Sequence, residues 1–154
     1  MDIEEPERRR RVLIVAYAAH PDASMESRVG WHRAIECARD YETWVLYGDD
    51  YDRAELARLA RLHEPTHPIR FVRASHGAVG RRLVRSPHLF WQGYALWHRR
   101  AFHVARRLHD RWNFDLVHQV SFCGYREPGY TWQLPAPFVI GPAGGTPNFP
   151  VAFL

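Results

Sequence analysis

His118 stands near the carboxyl end of an apolar run, Leu116 to Ser121, three residues after Asp115. A neutral imidazole at a strand end can hydrogen-bond a bound hydroxyl or carry a proton near pH 7. The same residue reads equally well as a core histidine satisfied by a neighbouring carbonyl. A second candidate group is Glu26, Val29, Gly30 and Trp31, which open a helix after the first strand. A helix N-terminus offers unpaired N–H groups and partial positive charge, suited to phosphate or to sugar hydroxyls. On spacing alone the plainer reading comes first: Glu26 favours the helix start and Gly30 eases close packing on the sheet. A third group is Gly141, Gly144 and Gly145, directly after Pro137 to Ile140, an apolar run that reads as a buried strand. Glycines there allow positive φ and let a ligand approach the main chain.

Two other patterns invite a metal reading and fail on physical grounds. "HEPTH", His63 to His67, matches H-E-x-x-H letter for letter. That zinc chemistry needs both histidines one helical turn apart, and Pro65 and Pro68 disfavour a helix there. The stretch reads as a loop. His98, His103 and His109 share one predicted helix, but spacings of five and six residues do not make an i, i+4 ligand pair. On an arginine-rich helix they read as solvated or snorkelling side chains. The loop after the first strand lacks G-x-G-x-x-G, so the dinucleotide fingerprint is missing. No metal and no cofactor is expected.

The elements that must position these residues follow from hydrophobic period. "RVLIVAYA", Arg11 to Ala18, is a continuous apolar run of the kind buried on both faces. Trp31, Ala34, Ile35 and Ala38 then recur at helical spacing. "TWVLYG", Thr43 to Gly48, predicts a second strand. Leu56, Leu59 and Ala60 predict a short helix over Asp52 to Leu62, with Asp52 as N-cap. "IRFVRA", Ile69 to Ala74, alternates apolar residues with arginine and predicts a half-exposed third strand. A long helix follows, from roughly His88 to Trp112, with Phe90, Tyr94, Trp97, Ala101, Ala105, Leu108 and Trp112 as its apolar stripe. "LVHQVS" and "FVIG" predict strands four and five, with one short helix between them in "REPGYTWQL". Strands alternating with helices predict an α/β fold, a parallel sheet with right-handed crossovers and helices on both faces. Ligands of such sheets bind beyond the carboxyl ends of the strands.

Composition bounds the functional class. At 154 residues the chain reads as one domain, and a hydrophobic fraction of 46% is ordinary for a globular core, so disorder is not the default reading. No run approaches the ~18 apolar residues of a membrane span. The start, "MDIEEPERRRR", has no apolar h-region and so is not a secretory signal. Cys37 and Cys123 lack metal-type spacing and read as reduced thiols, consistent with a cytoplasmic protein. All 21 basic residues are arginine. Ser75 to Trp112 holds eight arginines against Asp110 alone, +7 in a chain whose net charge is +4, so basicity is regional. Its candidate partners are nucleic acid, an anionic membrane surface and an acidic ligand.

Two long stretches carry a family resemblance. "LIVAYAAHPDASMESRVGWHRAIECARDYETWVL" resembles the N-terminus of a bacterial subgroup of family-4 retaining glycosyltransferases. There the first strand leads to a Cys/His-Asn/His-Pro turn and a G-S-E-P-G-V-G-W-type loop and helix. "NFDLVHQVSFCGYREPGYTWQLPAPFVIGPAGGTPNFP" resembles the same subgroup's fourth strand, its aromatic Y-R-x-P-G-Y-x-W loop and its G-P-x-G-G strand end. The resemblance covers nearly the whole chain. It implies one half of a GT-B fold, a Rossmann-like domain that receives the acceptor, while a second domain binds the nucleotide sugar through an E-x7-E pair and basic residues. It implies transfer with retention and no bound metal ion. By resemblance Glu26 and Gly30 belong to the first loop, His118 is the fourth-strand histidine with a catalytic role, and Tyr125, Arg126 and Glu127 form the aromatic loop beside the acceptor. Gly144 and Gly145 match the paired glycines. The loop here, A-S-M-E-S-R-V-G-W, lacks the family's early glycine and the proline after the glutamate, which weakens it as a diphosphate cradle.

The sequence therefore sets out competing expectations. In the first, residues 1–154 are the acceptor-side domain of a glycosyltransferase for a glycan or lipid-linked acceptor, truncated before the donor-binding domain. It would meet a nucleotide sugar only with that missing domain and be inactive alone, because leaving-group charge and a dry cleft come from there. In the second, the chain is a stand-alone Rossmann-like binding or regulatory module. Nucleic-acid binding lacks any recognised reading motif. The basic segment has two readings: peripheral contact with the inner membrane face through arginines and Phe90, Trp91 and Trp97, or a solvated helix face. Trp132, Phe149, Val151, Phe153 and Leu154 are expected to form an exposed apolar patch.

Overall fold

The computed structural model describes residues 8–48, 51–120, 122 and 128–142. Five strands, β1 (Arg11–Val15), β2 (Glu42–Tyr47), β3 (Ile69–Arg73), β4 (Leu116–Gln119) and β5 (Phe138–Ile140), form one sheet in the order β3-β2-β1-β4-β5. Every pairing is parallel. The fold is thus α/β and Rossmann-like. β1 is central because its run of apolar side chains has no polar face to offer water: Val12, Leu13, Ile14 and Val15 are all buried.

Alternate residues of β1 feed two cores. Val12 and Ile14 meet Trp31, Ala34, Ile35 and Ala38 of α1 (Met25–Asp40) and Leu56 and Ala60 of α2 (Arg53–Arg61). Leu13 and Val15 meet Tyr94, Trp97, Ala101 and Ala105 of α4 (Phe90–Trp112) on the other face. Local chemistry fixes the helix ends. The Ser24 hydroxyl accepts from the Ser27 N–H at 3.2 Å, and the Asp52 carboxylate accepts from the Glu55 N–H at 2.9 Å. α4 stops at Asn113, whose left-handed backbone directs its N–H to the His109 carbonyl at 2.7 Å.

Several expectations are corrected. The segment before the long helix holds a separate helix, α3 (Gly77–Val84), packed against α4. His98 and His109 are buried, not solvated, and only His103 of the three is exposed. His98 shares a face with Tyr94, Ala101 and Ala105, and the apolar stripe carries it inside. Trp97 is also fully buried, its indole N–H donating to the Ala74 carbonyl at 2.9 Å, so it faces no membrane. β5 is a sheet edge, with Val139 47% exposed, rather than a buried strand. "HEPTH" lies after α2 in a turn, with Glu64 at φ 46, as the prolines require.

The amino ends of the strands are tied by charge. Asp115 accepts from the Arg11 backbone N–H at 2.7 Å and pairs with Arg8 at 2.6 Å, and Arg11 pairs with Glu42 at 3.0 Å. A cavity of ≈ 530 Å³ lined by Arg10, Val12, Tyr41, Asp115 and Leu116 opens there. It lies at the end of the sheet away from the predicted ligand rim, and its carboxylate is already engaged.

Candidate functional site

The strand order reverses between β1 and β4, since β1 connects onward to β2 on one side and meets β4 on the other. A crevice beyond their carboxyl ends is where open α/β sheets take ligands. His118 belongs to β4 opposite Ile14, on the face shared with α1. Its Nε2 lies 3.0 Å from the Gly141 carbonyl, just past β5. The carbonyl can only accept, so Nε2 carries the proton and the neutral ring keeps its lone pair on Nδ1. Burial pushes the His118 pKa below its ordinary value; the Gly141 bond opposes this and the Arg33 charge adds to it. The imidazole is therefore neutral at pH 7, able to accept a hydroxyl proton at Nδ1. Its hydrogen bond also satisfies the plainer expectation of a histidine held by a neighbouring carbonyl.

Gly30 lies in α1 where the helix crosses the end of β1. A Cβ there would stand 2.6 Å from the Ala18 carbonyl oxygen and 3.0 Å from the Ala16 Cβ. Only glycine permits so close an approach, which is the packing role expected from spacing. Glu26 is exposed in the first turn of α1, where its charge complements the helix dipole. The loop between β1 and α1 is held by the His20 N–H to Ser27 carbonyl bond at 3.3 Å, and the His20 ring stacks on Tyr51 at 4.6 Å.

The structure thus brings His118, Gly141, Arg33 and the start of α1 to one rim. Tyr125, Arg126, Glu127, Gly144 and Gly145 lie outside the described residues. Among the described residues no group of three or more histidine, cysteine or carboxylate side chains could hold a metal ion.

Sequence reasoning missed the surroundings of His98. This side chain is 3% exposed, and neither ring nitrogen finds a hydrogen-bond partner among the described residues. Burial lowers its pKa to about 4. Its ring packs edge-on to Tyr94 at 4.4 Å. Gly129, at φ 64, lies so close that a Cβ would stand 2.4 Å from the His98 Nδ1. A cavity of ≈ 410 Å³ opens beside it, lined by Tyr94, Tyr130 and Trp132 among others. The available signal was spacing: His98 is four residues after Tyr94 and seven before Ala105.

No family model matches the chain, and no curated protein matches it.

Proposed function

We propose that this chain is the acceptor-side half of a retaining glycosyltransferase and receives a glycan or lipid-linked acceptor at the β1–β4 rim. The observation that carries the reading is the sheet reversal beside His118, flanked by the closely packed start of α1. The two sequence stretches that resemble family-4 enzymes supply the residues at this rim. In this reading the Nδ1 lone pair of His118 accepts from an acceptor hydroxyl, while Gly141 holds the ring in place. Glu26 and Gly30 belong to the α1 side of the rim, and by resemblance Tyr125, Arg126 and Glu127 belong to the aromatic loop that serves the acceptor.

The sequence contains no E-x7-E pair. Donor binding and stabilisation of the departing diphosphate are therefore assigned to a separate donor-binding domain, and the chain alone is expected to transfer no sugar. Purified protein incubated with common nucleotide sugars and glycan acceptors tests this. Turnover that disappears in His118→Ala would make the chain catalytic by itself and overturn the division of labour.

The His118–Gly141 bond favours a second reading, a stand-alone Rossmann-like binding or regulatory module in which the histidine is structural. Acceptor binding that survives His118→Ala favours that second reading.

The lipid-facing part of the proposal rests on α3 and the start of α4. Arg81, Arg82 and Arg85 lie near exposed Val79, Leu89 and Trp91, the last 52% exposed. Aromatics beside arginines suit a headgroup layer, and this surface would hold the protein at the inner membrane face. Among the described residues no helix is long and apolar enough to cross a membrane.

A further inference from the structure

The sheet edge opposite β5 carries a different constellation. Arg70 of β3 is half-buried, and its guanidinium lies over the Trp44 ring at 4.5 Å and near Trp112 at 5.7 Å. Stacking engages the flat face of a guanidinium and leaves its five in-plane N–H donors free for other partners. No carboxylate pairs with Arg70 among the described residues, and its Nη1 is buried without a hydrogen bond. A half-buried cation held by two indoles and lacking a counter-ion is costly unless something anionic visits it.

The surroundings select for such a visitor. Arg70 lies in a groove of ≈ 560 Å³ between α2, β3 and the end of α4, whose lining includes Arg53, Arg61 and Leu108 and, among the described residues, no acidic one. Arg11 and Arg111 also lie over Trp112, at 5.7 and 5.1 Å, and the nearby Glu42 is already taken by Arg11. Arg53 and Arg61 stand at opposite ends of α2, about 12 Å apart along its axis, so each must extend its side chain inward to share one anion with Arg70. Arginine forks match phosphate oxygens two at a time.

We propose that this groove binds a phosphate-bearing anion, with Arg70 as the fixed anchor and Arg53 and Arg61 as outer contacts. The site lies at the other edge of the sheet from His118 and does not rest on the transferase reading.

Calorimetric titration with inorganic pyrophosphate at constant ionic strength tests it. Saturable binding is expected, weakened about tenfold or more in Arg70→Gln, as loss of charge-assisted hydrogen bonds implies. Arg53→Gln and Arg61→Gln, on exposed helix positions that leave the core untouched, should each weaken it by a smaller factor. Arg107→Gln, exposed on α4 outside the groove, should leave it unchanged. Vesicles containing phosphatidic acid form a second arm. Binding to vesicles but not pyrophosphate, lost in Arg70→Gln and Arg53→Gln, assigns the phosphate to a lipid headgroup. No binding in either arm, or binding that Arg107→Gln weakens as much as the groove variants do, overturns the proposal.

Discussion

At the scale of single residues, two side chains carry the clearest consequences. His98 is neutral because burial lowers its pKa from 6.5 to about 4. The unfolded chain then binds this proton more readily than the folded one, so stability rises with pH across that window. The contribution is fully present above about pH 6.5 and is lost as pH falls to about 4, by about 3 kcal/mol. Urea unfolding at a series of pH values should show this slope, and His98→Leu should remove most of it. A variant as acid-sensitive as the parent would place the proton elsewhere. For Gly30→Ala two effects compete. Alanine gains ~1 kcal/mol in helix propensity, while overpacking costs ~1–3 kcal/mol. Because the atom met is a main-chain carbonyl that cannot swing aside, the clash should win and the urea midpoint should fall. The packing role of Gly30 was readable from a glycine beside Trp31 and Ala34 on the apolar stripe, although α1 begins earlier, at Met25. His98 was misread because its polarity and the arginines around it were weighed above its spacing on the stripe.

At the scale of elements, hydrophobic pattern identified all five strands and the helices α1, α2 and α4. β1 and β2 bury continuous runs and the helices bury stripes, while β3 shows by alternation and β4 and β5 as short apolar segments. α3 was not legible: its eight residues hold two glycines and two arginines, and contact with α4 rather than intrinsic propensity supports it. The edge position of β5 was hidden for a different reason. A three-residue strand is too short to show whether one face or both are covered. The Asp52 cap was visible as a residue type before an amphipathic run, and the structure gives it a 2.9 Å bond. Asp52→Ala should cost ~1 kcal/mol of stability, against a few tenths for Asp52→Gly, measurable by denaturant midpoint. Equal stability of parent and Asp52→Ala would mean the cap contributes nothing.

At the scale of the whole molecule, charge and topology separate the surfaces. One edge of the sheet gathers Arg53, Arg61 and Arg70, α3 carries a basic surface with exposed apolar residues, and the β1–β4 rim holds the neutral His118. Each arginine near an anionic leaflet contributes about 1 kcal/mol, so α3 and its neighbours should give salt-sensitive binding. Liposome co-sedimentation should show recovery with anionic vesicles at low salt, a steep fall as salt rises, and weakening in Trp91→Ala. Equal recovery in the supernatant with neutral and anionic vesicles would leave α3 a solvated face. The rim itself was partly legible, since strand ends and glycines mark it in the sequence. Its Gly141 contact was not, because the His118–Gly141 bond joins residues 23 apart across the β4–β5 pairing. Whether the rim receives an acceptor is decided by amide NMR of the protein with glycans retained from a glycan array. Shifts are expected to concentrate at residues 16–30 and 116–120, to be abolished by His118→Ala and to be unaffected by Arg70→Gln; no retained glycan, or shifts that survive His118→Ala, would refute acceptor binding there.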